Sequence, residues 1–480
     1  MAAMQLHFIA NQGQPSSGGR TIEVIDPSYG QPFDTIQRGT PEDIDAAVRA
    51  ARQCFDEVWR KTAPVERSRL LMRLSAKITE HADELAALEQ RDCGKPTRQA
   101  RADAAALARY FEFYAGACDK LHGETIPAAD GYSVLTWREP HGVTGHIVPW
   151  NYPMQIFGRC VGAALAAGNT CVVKPAEDAC LSLLRVAQLA AEAGFPAGAL
   201  NIVTGYGHEV GDALARHPGV QHVSFTGSPR VGTLIQQAAA EHHCPVTLEL
   251  GGKSPQIVFA DADLDAALPV LVGAIIQNAG QTCSAGSRVL IERDIYEPLL
   301  ARLARAFEGL RVGPAAMDLE LGPLIRQSQQ QRVWDFLSDA QAAGIAVAAQ
   351  GHIVDEAPDT GFYQAPTLLR DVPPEHRLAQ EEIFGPVLCA MPFDGEDHAV
   401  QLANATAYGL VAGIWTRDGG RQLRMARRVE SGQVFINNYG AAGGVELPFG
   451  GVKASGHGRE KGFEALYGFT TLKTVAIRHG

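Results

Sequence analysis

The sequence has no long apolar run and no cluster of basic residues. Its longest apolar stretch, residues 266–276, is too short to span a bilayer, and the N-terminal MAAMQLHFIANQGQ lacks the charged and apolar segments of a secretion signal. The formal net charge of -11 leaves no positive field to gather phosphate groups. We therefore expect a cytoplasmic protein that binds small molecules, with neither nucleic acid nor a membrane as a partner.

Paired cysteine motifs are also missing. The nine cysteines show no CxxC or CxxxH spacing, which argues against disulfides and a zinc site and predicts mostly buried thiols without a bound metal. Cys283 differs because it lies among small, polar and flexible residues, in Asn278-Ala-Gly-Gln-Thr-Cys-Ser-Ala-Gly-Ser-Arg288. A cysteine that only packs normally has apolar neighbours. Cys283 is therefore a candidate reactive residue, with a structural thiol as the alternative.

The pattern of apolar residues predicts an α/β protein without internal repeats. Helical periodicity covers residues 40–55, 64–93, 99–120 and 295–310. Short β-branched runs at 146–148, 170–173, 201–204, 222–225 and 246–250 alternate with amphipathic segments, which indicates a doubly wound parallel sheet. Runs at 256–259 and 288–292 begin a second α/β region. Ligands of such sheets bind beyond the carboxyl ends of the strands.

Two glycine-containing loops are candidate nucleotide-binding turns. Gly205-Tyr-Gly-His-Glu-Val-Gly211 follows a strand but is one residue longer than GxGxxG, so a simple turn is the alternative. In Phe225-Thr-Gly-Ser-Pro-Arg-Val-Gly232, free N–H groups and the Ser228 hydroxyl stand at a helix start, where they can face a pyrophosphate. A plain N-cap explains Ser228 equally well.

Lys174 and Glu177 follow the strand at 170–173 and can both reach a ribose. The Glu177 carboxylate would accept from an adenosine 2′-hydroxyl and repel a 2′-phosphate. An ion pair between the two side chains is the alternative.

A catalytic cysteine needs a donor for the oxyanion that it creates and a base. Asn151 lies in Pro149-Trp-Asn-Tyr-Pro153, at a turn from strand to helix, where its amide can be that donor. Glu249 lies in an apolar strand directly before a double glycine. Burial there raises the pKa of a carboxylate towards the range useful for a base, although a buried salt bridge is an alternative explanation.

These motifs resemble those of the aldehyde dehydrogenase superfamily, in the same order and over almost the whole chain. The matching stretches are Pro149-Trp-Asn-Tyr-Pro153, Phe225-Thr-Gly-Ser228, Leu248-Glu-Leu-Gly-Gly-Lys-Ser-Pro255, Gly280-Gln-Thr-Cys283, Glu381-Glu-Ile-Phe-Gly-Pro-Val387 and Pro448-Phe-Gly-Gly451. The resemblance implies oxidation of an aldehyde to a carboxylic acid by the branch of the family that hydrolyses its intermediate.

The resemblance also implies a role for each matching residue. Cys283 is the expected nucleophile, Asn151 and the Cys283 N–H the oxyanion hole, and Glu249 the base that activates water against a thioester. The expected cofactor is NAD, with NADP as the alternative. The positions expected to bind it are Trp150, Lys174, Glu177, Gly207, Gly211, Phe225, Thr226, Gly227, Ser228, Gly232, Leu250, Glu382 and Phe384.

The family architecture implies three parts. Residues 1–121 and 141–249 would form a Rossmann-like NAD-binding domain, residues 250–449 a second α/β catalytic domain, and residues 122–140 with 450–480 a small β oligomerisation arm. The strands predicted at 132–139 and 470–477 belong to this arm. The terminal strand would find its partner in another subunit of a homodimer or homotetramer.

The expected substrate tunnel is lined by Tyr152, Gln155, Arg159, Thr282, Ser284 and Phe449, together with the 439–446 loop. In the succinate-semialdehyde branch of the family, an arginine matching Arg159 binds the distal carboxylate, so a carboxylated semialdehyde is one expected substrate. Gln277 departs from that branch, where a second arginine is expected. The alternative is a neutral aliphatic or aromatic aldehyde, with Arg159 in a salt bridge.

Two alternative functions, which belong to other classes of protein, were also considered. A cysteine hydrolase needs a histidine base, and these motifs contain none. The other alternative is a structural or binding protein that keeps the fold but has lost its catalytic activity. The presence of Cys283, Glu249 and Asn151 argues against it.

Overall fold

The computed structural model describes residues 4–440 and 444–480 of the chain. The helix predicted at 40–55 begins as expected, with Pro41 in its first turn and the Asp43 carboxylate accepting the Thr40 N–H at 2.9 Å. The helical run predicted at 64–93 is two helices that break at His81. The N-terminal elements are β1 (His7–Ile9), β2 (Gln12–Gln14), β3 (Arg20–Asp26), β4 (Gln31–Arg38), α1 (Pro41–Glu57), α2 (Pro64–Glu80), α3 (Ala82–Cys93), α4 (Thr97–Ala117), β5 (Thr125–Ile126) and β6 (Tyr132–Pro140).

The five strands predicted after Gly142 form one parallel sheet, in the order β9-β8-β7-β10-β11. Cys171 and Val173 pack into a core on one face of this sheet and Val172 into a core on the other, so helices cover both faces. The doubly wound prediction is confirmed. The elements are β7 (Val143–Val148), α5 (Pro153–Ala167), β8 (Thr170–Pro175), α6 (Leu181–Glu192), β9 (Leu200–Ile202), α7 (Asp212–Arg216), β10 (His222–Thr226), α8 (Pro229–Ala240) and β11 (Val246–Glu249).

A second sheet follows, in the order β15-β17-β18-β13-β12-β20-β21, and β15 is its one antiparallel strand in the part of the chain that the structure describes. A separate apolar core surrounds it. Its elements are β12 (Pro255–Val258), α9 (Leu264–Ile276), β13 (Arg288–Glu292), α10 (Tyr296–Glu308), β14 (Arg311–Val312), α11 (Gln327–Ala342), β15 (Val347–Gln350), β16 (His352–Ile353), β17 (Thr367–Leu369), α12 (Arg377–Gln380), β18 (Val387–Phe393), α13 (Gly395–Asn404), β19 (Tyr408–Gly409), β20 (Val411–Trp415), α14 (Gly419–Arg428) and β21 (Gln433–Ile436).

The end of the chain returns to the first sheet and then to the arm. Its elements are β22 (Val452–Lys453), β23 (Gly456–His457), α15 (Glu464–Gly468) and β24 (Thr470–Arg478). β23 pairs with β11, and β24 pairs antiparallel with β6 along its whole length. We expected β24 to find its partner in another subunit, but the same chain provides one, because β23 and α15 bring the terminus back beside β6. Within the described residues, the outer edge of β24 has no strand beside it.

The cysteines are mostly buried, as the sequence predicted. All nine cysteines are free thiols, and Cys283 and Cys244 are the two that keep partial exposure. In residues 4–440 and 444–480, no helix is both long enough and apolar enough to cross a membrane.

Candidate active site

Two cavities meet at Cys283 and Asn151, which line both of them. We call the cavity of about 370 Å³ that contains Tyr152 and Phe449 the tunnel. The cavity of about 550 Å³ that contains Gly227 and Glu382 is the cleft. A group bound to Cys283 therefore faces the tunnel on one side and the cleft on the other.

The loop before Cys283 adopts a backbone that few residues tolerate. Asn278, Ala279 and Gly280 have φ values of 48°, 53° and 75°, in the left-handed region. A Cβ at Gly280 would lie 2.3 Å from the backbone carbon of Gly385, so only glycine fits there. These turns deliver Cys283 to the junction of the tunnel and the cleft.

Asn151 is fixed against the same loop. The Asn151 side-chain amide donates to the backbone carbonyl of Gln281 at 3.0 Å, and the backbone carbonyl of Asn151 accepts from the Asn278 side-chain amide at 2.9 Å. The side-chain amide of asparagine has two N–H groups, and the second can donate to an oxyanion on a carbon bound to Cys283. The position predicted for the oxyanion donor is therefore adjacent to the predicted nucleophile, Cys283.

The Cys283 thiol is difficult to ionise in this environment. Burial raises its pKa to about 12, although the positive charge of Arg159 acts in the opposite direction. At neutral pH the residue is thus a thiol, and attack on a carbonyl requires removal of its proton.

Glu249 ends β11 and is buried at the cleft wall. Among the described residues, neither carboxylate oxygen has a hydrogen-bond partner, and Glu249 takes part in no ion pair. Burial raises its pKa well above the ordinary value, as the sequence predicted, and the charge of Glu460 adds to this effect. A Cβ at Gly450 would lie 2.7 Å from Glu249 Oε1, so Gly450 leaves room for this carboxylate. A buried acid with a raised pKa is suited to accept a proton near neutral pH.

Seven of the predicted cofactor residues line the cleft: Trp150, Thr226, Gly227, Ser228, Leu250, Glu382 and Phe384. The Trp150 and Phe384 rings lie 5.4 Å apart at 89° and form an aromatic corner. The Glu382 carboxylate accepts the Gly252 N–H at 3.0 Å, and burial raises its pKa to about 7. The Ser228 hydroxyl accepts from the Val231 N–H at 3.4 Å, so it is an N-cap of α8 as well as part of the cleft wall.

Three predicted cofactor residues do not line the cleft, and two of them support it. The Phe225 ring lies under Gly227, where an added Cβ would be 2.5 Å away. Gly232 makes room for the Leu250 side chain, 2.6 Å from a Cβ at that position. The third, Gly211, ends a π-helical turn before α7.

The remaining predicted pair, Lys174 and Glu177, forms an ion pair of 2.8 Å at the end of β8. A Cβ on Gly207 would lie 4.0 Å from Lys174 Nζ, so the glycine loop and this pair are neighbours. Arg326 links the two regions, because it lines the cleft and also the adjoining cavity that contains Glu177. An extended dinucleotide fits this arrangement, which has the polar Lys174–Glu177 pair at one end, an exposed helix N-terminus in the middle, and Glu382 beside the aromatic corner at the other.

All six predicted substrate residues line the tunnel. The Tyr152 hydroxyl and Thr282 Oγ1 are 3.0 Å apart, and the Gln155 amide donates to Asp103 at 2.5 Å. The Arg159 guanidinium lies 4.9 Å from the centre of the Phe449 ring and forms an ion pair with Glu460. Of the 439–446 loop, residues 441–443 lie outside the described residues.

Other lining residues were not predicted. Tyr110 and Lys461 line the tunnel, and Arg332 and Tyr408 line the cleft. Tyr110 belongs to α4, whose sequence shows only an amphipathic pattern. Lys461 offered a clue, because it lies close to the Pro448-Phe-Gly-Gly451 motif.

Comparison with known proteins gives one consistent answer. The profile of the Aldehyde dehydrogenase family matches residues 14–475. The chain is 42% identical to a hydroxyisobutyraldehyde dehydrogenase of Mycolicibacterium austroafricanum, over 99% of this chain and 94% of that protein. It is 41% identical to the NADP/NAD-dependent aldehyde dehydrogenase PuuC of Escherichia coli, over 98% of this chain and 95% of that protein.

Solved structures agree. A candidate aldehyde dehydrogenase from Burkholderia cenocepacia superposes with a TM-score of 0.99 at 75% identity, covering 99% of this chain and 100% of the other. The NAD+ complex of an aldehyde dehydrogenase from Bacillus cereus superposes with a TM-score of 0.97 at 40% identity, covering 100% and 97%. The chain therefore belongs to the aldehyde dehydrogenase family, and it is an NAD(P)-dependent oxidoreductase of aldehydes.

Proposed function

We propose that the enzyme oxidises its aldehyde through a thioester on Cys283, which water hydrolyses with Glu249 as base. The observation that carries this proposal is the position of Cys283 on the wall shared by the tunnel and the cleft. An aldehyde in the tunnel can reach the sulfur from one side while the cofactor lies on the other. Reaction at one carbon then requires no movement of the substrate.

The first step is addition of the Cys283 sulfur to the aldehyde carbon. The thiol proton must leave, and because Cys283 keeps partial exposure, water can accept it. The carbonyl oxygen becomes an oxyanion that accepts from the Asn151 amide and the Cys283 N–H. When bound, NAD supplies the acceptor for the hydride that the former aldehyde carbon loses. The acyl group then remains on the sulfur as a thioester.

The second half of the reaction releases the acid. Glu249 takes a proton from a water molecule, whose oxygen attacks the thioester carbon, and the Cys283 sulfur leaves. Glu249 is buried, and burial raises its pKa, which keeps it able to accept this proton. A carboxylate in this place favours water over another thiol as the acyl acceptor, so the product is a free carboxylic acid.

Glu177 favours NAD over NADP, since its carboxylate would accept from a 2′-hydroxyl and repel a 2′-phosphate. Lys174, which is 2.8 Å away, offsets part of that repulsion. Some use of NADP is therefore expected, at lower efficiency.

We also propose that the arm joins subunits into a homo-oligomer. Trp137 and Ile477 are 49% and 46% exposed on one face of the arm, and Leu472 is 51% exposed on the other, beside the outer edge of β24. Such surfaces usually meet a partner. Sedimentation equilibrium would distinguish a dimer or tetramer from a monomer, and a monomer would contradict the proposal.

The test of the activity is the near-ultraviolet absorbance of reduced nicotinamide, with NAD and separately with NADP. The panel contains neutral, aromatic, amino and carboxylated aldehydes, and Cys283→Ala is the control. We expect turnover with NAD that the Cys283→Ala variant lacks. Turnover that persists in this variant would contradict the role of Cys283.

A further inference from the structure

Arg326 is a cation at the boundary between two cavities. It lines the cleft together with Trp150 and Phe384, and it lines the adjoining cavity of about 390 Å³ together with Glu177 and Asp178. Its guanidinium carbon lies 6.0 Å from the centre of the Trp150 ring. The side chain therefore borders both the region of Glu177 and the aromatic corner.

The backbone of Arg326 is fixed relative to the loop of the nucleophile and to the cleft. The Ile325 N–H donates to Gln281 Oε1 at 2.9 Å, in the loop that precedes Cys283. Arg326 is the residue before α11, and the Gln329 amide in the first turn of that helix donates to the carbonyl of the Phe384 backbone at 2.8 Å. A change in the position of the Arg326 charge therefore requires movement of its side chain alone.

The ion pair that Arg326 forms is a weak one. Arg326 Nη1 donates to Asp178 Oδ2 at 2.6 Å, and the two side chains are 44% and 23% exposed. Ion pairs with this exposure contribute little, because water and salt screen the two charges. The pair can therefore open at small cost when another anion enters the cleft.

The other cations of the cleft are placed differently. Among the described residues that line the cleft, the cations are Arg230, Arg326 and Arg332. Arg332 Nη2 donates to the backbone carbonyl of Glu382 at 2.6 Å, which holds it beside that residue. Arg230 is exposed in the first turn of α8. Of these three cations, Arg326 is the one that also lines the cavity containing Glu177.

A dinucleotide carries its two negative charges near its middle, on the diphosphate that joins the two riboses. In the arrangement described above, Glu177 is beside one ribose and Glu382 beside the other. A guanidinium that borders both regions is placed for the diphosphate between them. Its planar fork can donate to two phosphate oxygens at once.

We propose that Arg326 exchanges Asp178 for the diphosphate of the cofactor, which it binds from the α11 side of the cleft. Asp178 then competes with the cofactor for the same guanidinium. This inference rests on the proposed function in one respect, because it takes the cleft as the cofactor side of Cys283. It adds to that function a residue that holds the cofactor and a carboxylate that opposes its binding.

The experiment measures binding without turnover. Titration with NADH, followed by the fluorescence of the reduced nicotinamide, gives a Kd for each variant. Displacement of NADH by ADP-ribose, which carries the diphosphate, and by adenosine, which lacks it, separates this contact from the rest of the cleft. Arg326→Met removes the charge, Arg326→Lys keeps it, and Asp178→Asn removes the competing anion. Arg293→Met, which breaks an exposed pair with Asp394, controls for the net charge of the protein.

We expect Arg326→Met to raise the Kd of NADH and of ADP-ribose about 10-fold, the usual value of one charged hydrogen bond. Adenosine should change less than about 2-fold, and Arg293→Met should match the wild type. Arg326→Lys should keep part of the affinity, because lysine binds phosphate as a point charge. Asp178→Asn should bind ADP-ribose at least as tightly as the wild type.

An equal rise of Kd for ADP-ribose and adenosine in Arg326→Met, or no rise for either, would overturn the inference. The same holds if Asp178→Asn weakens ADP-ribose as much as Arg326→Met does, because the ion pair itself would then support the cleft. A wild type that binds neither NADH nor ADP-ribose would instead contradict the proposed function.

Discussion

Arg159 and Glu460 form an ion pair in the interior of the protein, with side chains that are 8% and 0% exposed. Glu460 also accepts from the Ser224 hydroxyl at 2.7 Å, which ties the pair to β10. Separating two such charges leaves one of them buried without a counterion. The pair therefore joins α5 to the returning C-terminal segment beside the active site.

Arg159→Met should destabilise the fold by about 3–5 kcal/mol, the usual cost of removing one partner from a buried ion pair. Urea unfolding of the apoenzyme measures this cost. Arg311→Met, which breaks an exposed pair with Glu320, is the control and should change stability little. An unfolding curve of Arg159→Met that matches the wild type, with selectivity for acidic aldehydes lost, would assign Arg159 to the substrate instead.

Asn151→Ala should lower kcat about 10²- to 10³-fold, because one donor to the developing oxyanion is lost. KM should change much less, since the carbonyl of the bound aldehyde carries little charge. Thr282→Val, which removes the contact with the Tyr152 hydroxyl but no oxyanion donor, should keep kcat within a few-fold. A similar loss of kcat in both variants would show that the loop was disturbed and would contradict the specific role of Asn151.

The sequence predicted the parallel strands well, because buried parallel strands appear as short β-branched runs. The predicted reacting groups Asn151, Glu249 and Cys283 all line the cleft, and their roles stay predictions. The small and flexible neighbours of Cys283 now have a structural explanation. They form the left-handed turn that places Cys283 between two cavities.

Partners distant in the chain could not be predicted. No local pattern links Arg159 to Glu460, because the return of the chain through β23 brings them together. Periodicity also cannot tell whether Phe225 faces a ligand or supports Gly227 from below. The direction of the Lys461 side chain depends on a positive φ, which is rare for lysine and leaves no signature in sequence.

The most direct test of the account is a rapid-mixing experiment on Glu249→Gln with aldehyde and NAD, followed by mass spectrometry of the quenched enzyme. We expect a burst of about one reduced cofactor per site, steady turnover reduced at least about 10²-fold, and an acyl group on Cys283. Loss of the burst together with turnover, or an acyl group on a different residue, would contradict the roles of Cys283 as nucleophile and Glu249 as the base for hydrolysis.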